Sequence, residues 1–181
     1  MILLALGSIQ YMINRSAMHP ADGPNVMRVL AIQAASGNFE VQLRVLQCNL
    51  LLATSPSCEM TEDLLSQALS VCFSLSAARN STVQNAATAT VKQIISLLFD
   101  RVHAAQSAQS AQAVQAALAE GGAASSDGGA DGAAAEGDDG INKTSQCAYL
   151  VFQDLCVLSR GEQGVWLKRT SVPPSMGLGV L

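Results

Sequence analysis

Histidine is nearly absent from this chain, with two in 181 residues, and tryptophan occurs once. Neither His19 nor His103 has a ligand or catalytic partner at a diagnostic spacing. They read as solvated side chains, His19 in a loop and His103 near a helix end, where a cation is mildly favoured. No phosphate-cradling or dinucleotide-binding glycine string follows a strand pattern, and no G-x-S-x-G turn occurs. The carboxylates Glu62, Asp63, Asp100 and Asp154 are scattered along helical stretches, as solvated or capping groups rather than an acid and base pair. Cys48, Cys58, Cys72, Cys147 and Cys156 are odd in number and include no C-x-x-C pair, which argues against a disulfide framework and a zinc site and points to a reducing, cytosolic setting. Cys48, Cys72 and Cys156 fall on apolar faces, where cysteine acts as a small hydrophobe. No catalytic, cofactor-binding or metal-ligating residue is therefore nominated, no cofactor is expected, and no partner-binding residue stands out.

Aromatic residues make up 4% of the chain and β-branched runs are few, while Leu and Ala are abundant. Straight-chain residues and Ala lose least on entering a helix, so the expected class is all-α. Apolar residues at 49% are ample for a core. The formal charge is -4, and Glu120, Asp127, Asp131, Glu136, Asp138 and Asp139 carry more than all of it, leaving the rest slightly positive. Neither part is basic enough to track a nucleic-acid backbone. The opening MILLALGSIQYMI has no basic leader and is too short to span a bilayer, so neither a signal peptide nor a transmembrane helix is expected.

The most periodic stretch is Asn80 to Val102. Ser81 and Gln84 form an expected capping box, which starts the helix at Ser81. Val83, Ala87, Val91, Ile94, Ile95, Leu98 and Val102 then recur at steps of three and four, predicting one core face on the central helix of a stack. Gln84, Asn85, Lys92, Gln93, Ser96 and Arg101 are left for water or a partner. Upstream, Ile2 to Ile13 reads as an apolar helix whose preceding neighbours are missing, and the next helix is its expected partner. That helix opens at Asp22, Gly23 and Pro24, with Val26, Val29 and Leu30 inward, and stops at Gly37. Val41 to Ala53 follows, with Leu43, Leu46 and Leu50 stacked. Thr61 caps a fourth helix with Glu62 and Asp63 in its first turn and Leu65, Ala68, Cys72 and Leu75 inward.

Helix starts near Pro24, Val41, Thr61 and Ser81 make pairs recur at about 40 residues, the period of HEAT and armadillo repeats. The fold predicted is an armadillo/HEAT-like α-solenoid of stacked helix pairs, with a compact helical bundle as the alternative. Residues 104–120, mostly Ala, Gln and Ser, extend the fifth helix and fray. Residues 121–140 hold Gly, Ala, Ser and acid without Lys or Arg, the composition of a disordered spacer. Order resumes at Thr144, a cap for a helix with Ala148, Val151, Phe152, Leu155 and Leu158 inward, ended by Gly161. Pro173 and Pro174 then break the chain.

Two strings, Asn80–Val102 and AYLVFQDLCVLSRGEQGVWL from Ala148 to Leu167, resemble the Mon-two branch of the large regulators of Golgi and endosomal traffic related to Sec7-type Arf exchange factors. The likeness is weak before Val41 and absent from His103 to Asn142. It implies residues 1–104 as the end of a dimerisation and cyclophilin-binding (DCB) domain, 105–142 as a linker, and 143–181 as the truncated start of a homology-upstream-of-Sec7 (HUS) domain. The acidic Asn-aromatic-Asp-Cys box of that second domain does not occur, and Gly179 and the end at Leu181 depart from the family pattern. The function implied is a non-enzymatic scaffold in vesicle-mediated transport between endosomes and the trans-Golgi. Implied partners are a second copy and Arf or Arf-like GTPases or trafficking scaffolds, with no nucleic acid. Membrane association would be peripheral and indirect, on trans-Golgi network and endosome membranes facing the cytoplasm. Two alternatives remain: the regulatory part of a Sec7-type Arf exchange factor, and an unrelated helical-repeat adaptor.

Overall fold

The computed structural model describes residues 1–55, 58, 60–120, 136–160, 162 and 164–167, with their side chains except at 20, 113–120 and 136–144. All regular structure among the described residues is helical: α1 (Ile2–Asn14), a 3-10 turn (Pro20–Asp22), α2 (Gly23–Ala34), α3 (Phe39–Thr54), α4 (Glu62–Ser76), α5 (Ser81–Glu120) and α6 (Glu136–Ser159). The chain divides into two compact units. One joins Met1–Leu97 with Leu150–Leu181, and the other is Leu98–Tyr149.

In the first unit, helices adjacent in sequence alternate between layers, so α1 packs on α3 and α2 on α4, while α3 also meets α2 and α4. The expected pairing of α1 with α2 is thus replaced by α1 with α3. Leu6 and Ile13 are the buried side chains of α1. The Cys48 thiol donates to the Leu6 carbonyl at 3.5 Å, and Arg44 Nη1 donates to Gln10 Oε1 at 2.7 Å. The outer side of α1 keeps Leu4 and Tyr11 more than half exposed.

The inward face of α2 is Gly23, Met27, Leu30 and Ala34, not Val26, Val29 and Leu30. Close approach at Gly23 fixes this rotation, since a Cβ there would lie 2.9 Å from Cys58 Sγ and 3.2 Å from Leu64 Cδ1. Val29 stays exposed and Val26 half-buried. On α3 the inward set is Val41, Val45, Leu46, Cys48, Asn49, Leu52 and Ala53, with Leu43 and Leu50 only half-buried. Asn49 is buried between helices, its Nδ2 donating to the Ala68 carbonyl at 2.9 Å and to Cys72 Sγ at 3.1 Å. Thr61 caps α4 as expected, its hydroxyl accepting from Leu64 N at 3.4 Å. Besides Leu65, Ala68, Cys72 and Leu75, α4 buries Leu64, Leu69, Val71 and Phe73. Each fully buried aliphatic or aromatic side chain of this kind contributes about 1.5–3 kcal/mol of transfer free energy. The most enclosed part is therefore α4, rather than the stretch following Asn80.

On α5, Val83, Ala87, Val91, Ile94, Ile95 and Leu98 are buried as expected, and Val102 is half-buried. Helix α5 begins at Ser81, but the capping box does not form. Asn80 Oδ1 accepts from Thr82 N at 2.9 Å and Val83 N at 3.4 Å, and Gln84 Nε2 donates to the Ala78 carbonyl at 2.7 Å. Asn80 reaches these amides because it precedes the first helical residue, leaving Ser81 inside the helix.

The same arrangement opens α3. Asn38 Oδ1 accepts from Glu40 N at 2.9 Å and Val41 N at 3.3 Å, and Gln42 Nε2 donates to the Ser36 carbonyl at 2.8 Å. Asn38 and Asn80 lie 42 residues apart. At that offset several buried positions coincide: Val41 with Val83, Val45 with Ala87, Cys48 with Thr90, Leu52 with Ile94 and Ala53 with Ile95, while buried Leu46 falls opposite half-buried Thr88. On the preceding helices Met27 matches Leu69 and Leu30 matches Cys72. The helix pairs α2–α3 and α4–α5 thus share a cap and part of a burial pattern at one offset, as helical repeats do.

Residues 104–120 extend α5 as expected, to Glu120, so His103 stands within a helix and not near its end. Helix α6 begins at Glu136, inside the stretch expected to be disordered, and passes through Thr144, which is no cap. The remainder of the expected spacer, 121–135, lies outside the described residues, as do Gly161, Pro173 and Pro174.

Candidate functional site

The densest polar geometry forms around Asp154. It sits on the apolar stripe of α6 with Val151, Leu155 and Leu158 and is 3% exposed. Its Oδ1 accepts from Val165 N at 3.0 Å, and its Oδ2 accepts from Trp166 N at 2.9 Å and Leu167 N at 2.6 Å. One carboxylate thus gathers three successive backbone amides, the charge-assisted arrangement that makes a buried anion tolerable. The loop can come this close only because residue 164 is glycine: a Cβ there would stand 2.7 Å from Asp154 Oδ2.

Asp154 thereby aims Trp166 at α4. The indole Nε1 donates to Glu62 Oε1 at 2.7 Å, and the Trp166 carbonyl accepts from Ser66 Oγ at 3.3 Å. Between α4, α6 and this loop lies a cleft of about 760 Å³, walled by Glu62, Asp63, Ser66, Gln67 and Ser70 of α4, by Leu150, Gln153 and Asp154 of α6, and by Val165, Trp166 and Leu167. Its groups are hydrogen-bond acceptors, amides and apolar surface, a set suited to holding a ligand.

The carboxylates separate by environment. Glu62, Asp63 and Asp100 are exposed as expected for solvated groups, whereas Asp154 is neither solvated nor a helix cap. The structure joins Glu62 and Asp154 through Trp166 and leaves Asp100 elsewhere on α5. Phe152, expected inward, is 47% exposed because Asp154 takes the buried stripe. The sequence signal for this site is a lone carboxylate on an apolar helix face, followed ten residues later by glycine and then by the chain's one tryptophan.

Burial raises the Cys58 thiol, and pushes Cys72 up to about 12 and Cys48 to about 11, opposed by the Asn49 hydrogen bond at Cys72 and the Arg44 charge near Cys48. These thiols stay protonated at neutral pH and serve as packing groups. His19 is exposed, with its Nδ1 accepting from Ala21 N at 3.2 Å, and His103 is exposed on α5. Asn85, Lys92, Gln93, Ser96 and Arg101 are exposed, while Gln84 is half-buried and bonded to Ala78. Among the described residues no group of His, Cys, Asp or Glu could hold a metal ion, and no helix is long and apolar enough to cross a membrane.

Residues 1–106 match the family model described as Mon2/Sec7/BIG1-like, dimerisation and cyclophilin-binding domain. Proteins named Protein MON2 homolog are similar to this chain, some of them over nearly its whole length. The Drosophila melanogaster protein is 30% identical over 184 residues, covering 99% of this chain and 10% of that protein. The Homo sapiens protein is 26% identical over 179 residues, covering 98% of this chain and 10% of that protein. The Schizosaccharomyces pombe protein is 34% identical over 99 residues, covering 55% of this chain and 6% of that one. The chain thus spans about a tenth of the length of the first two of these relatives. No solved structure matches.

Proposed function

The chain belongs to the Mon2/Sec7/BIG1-like dimerisation and cyclophilin-binding domain family, and on that premise we propose that it is a non-enzymatic helical scaffold binding other proteins in vesicle-mediated transport between endosomes and the trans-Golgi network. The observation that carries this reading is the likeness to MON2 homologues across 99% of the chain, including the segment that forms the Asp154 site. The 42-residue equivalence of α2–α3 with α4–α5 supports an armadillo/HEAT-like solenoid, in which stacked helices present extended faces to partners.

In this reading residues 1–104 are the closing part of a DCB domain, 105–142 a linker and 143–181 the start of a HUS-like segment. The partners are a second copy and Arf or Arf-like GTPases or trafficking scaffolds, and membrane attachment is peripheral and acquired through them. A regulatory segment of a Sec7-type exchange factor would share all of these features and differ only outside this chain.

The test is retention on the immobilised chain of soluble Arf-family GTPases in both nucleotide states, alongside sedimentation of the chain alone. The expected result is self-association or retention of at least one GTPase, without faster nucleotide release. A monomer that retains none of them, or one that accelerates release, overturns the proposal.

A further inference from the structure

We infer that the cleft between α4, α6 and the 164–167 loop is a docking groove for a short segment of a partner protein that carries a lysine or arginine beside an apolar residue. This names the chemistry of one partner and rests on reading the chain as a protein-binding scaffold. Charge complementarity makes the first argument. Every charged side chain on the walls, Glu62, Asp63 and Asp154, is acidic, and no lysine, arginine or histidine among the described residues lines the cleft. The N-terminus of α4 offsets about half a charge. The three amides on Asp154 further temper that carboxylate. Asp63, exposed, is in no ion pair among the described residues, so the described walls are negative.

The apolar part of the groove decides between a bare cation and a side chain. Val165 is 84% exposed at the rim, and Leu150 and Trp166 also line the cleft, apolar residues that a metal ion or ammonium would leave uncovered. A lysine or arginine stem covers such surface along its methylenes while its head meets carboxylates, and a neighbouring apolar residue covers Val165. The indole is also held in place, through Glu62 at its nitrogen and Asp154 and Ser66 at its backbone, so its face is preorganised for a cation within about 6 Å of the ring.

Trp166 is the chain's one tryptophan, so its fluorescence and its indole N–H resonance report on this groove alone. The probe is the peptide acetyl-GLRLKG-amide, set against acetyl-GLELEG-amide, each titrated into the full chain. The basic peptide should give a saturable shift of both signals that weakens with added salt, and the acidic peptide none. Asp63→Asn should weaken binding about threefold and Asp63→Lys about tenfold, with unchanged helical circular dichroism and thermal melt. No saturable shift with the basic peptide, an equal shift with the acidic one, or affinity indifferent to Asp63→Lys in a folded chain overturns the groove assignment. Those outcomes leave the scaffold reading standing, because GTPase retention and self-association test it independently.

Discussion

At Ser16 the backbone enters the left-handed region, with φ at 52°, and no other described non-glycine residue does so. The cause is local. Ala17 N donates to the Met12 carbonyl and Ser16 N to the Ile13 carbonyl, both at 3.0 Å, closing the end of α1 by the two bonds of a Schellman turn. Glycine is the residue that reaches this conformation without Cβ strain, so Ser16→Gly should stabilise the chain by about 1 kcal/mol, seen as a melting temperature a few degrees higher. An unchanged or lower melt would refute the strain argument. A second residue-scale effect follows from Cys72. Its thiol is held near 12 in the fold against an ordinary value near 9, so the unfolded chain ionises first as pH rises. The stability it lends is intact below pH 9 and is lost progressively from there toward 12. The melting temperature should therefore fall between pH 9 and pH 11, and fall less in Cys72→Ala; parallel pH profiles for the two chains would show that burial of this thiol is not the cause.

Among the helices, the starts of α3 and α5 show what an element owes to its first residue. Asn80 satisfies two amides that would otherwise be orphaned, so Asn80→Ala should cost about 1 kcal/mol, while Ser81→Ala should cost little. Denaturant titration of the two variants separates them, and a larger loss at Ser81 would reinstate the capping box. Asn80 and Ser81 are both good caps, and only the extended backbone before the first turn decides which side chain reaches the amides. The inward face of α5 was nonetheless legible, because Val83, Ala87, Val91 and Ile94 carry a clean helical period. On α2 and α3 the period was ambiguous, since apolar residues surround those helices. Contact at Gly23 and the polar bridge from Asn49 set their rotation, and both are tertiary events that no local window contains.

For the whole molecule, the all-α class and the roughly 40-residue spacing could be read from composition and helix starts, but the Asp154 site could not. Its parts lie far apart in sequence, and only the charge of Asp154 on an apolar stripe marked it. The way the first unit is completed has a consequence in time. The contacts among α1 to α4 join helices close in sequence and need only short loops to close. Ser66 and Trp166, by contrast, are separated by 100 residues. Closing so long a loop costs more entropy, and contacts of large sequence separation form slowly. Refolding should accordingly be biphasic, with helical circular dichroism recovering first and the fluorescence of Trp166 lagging as its indole meets Glu62. In Gly164→Ala, where the new Cβ crowds Asp154, the late phase should slow or shrink while the early one is preserved. Coincident recovery of the two signals in the parent chain would mean that the return of Trp166 to α4 belongs to the folding nucleus. Otherwise the chain passes through a state in which α1 to α4 are packed and the face of α4 that Trp166 covers is still open.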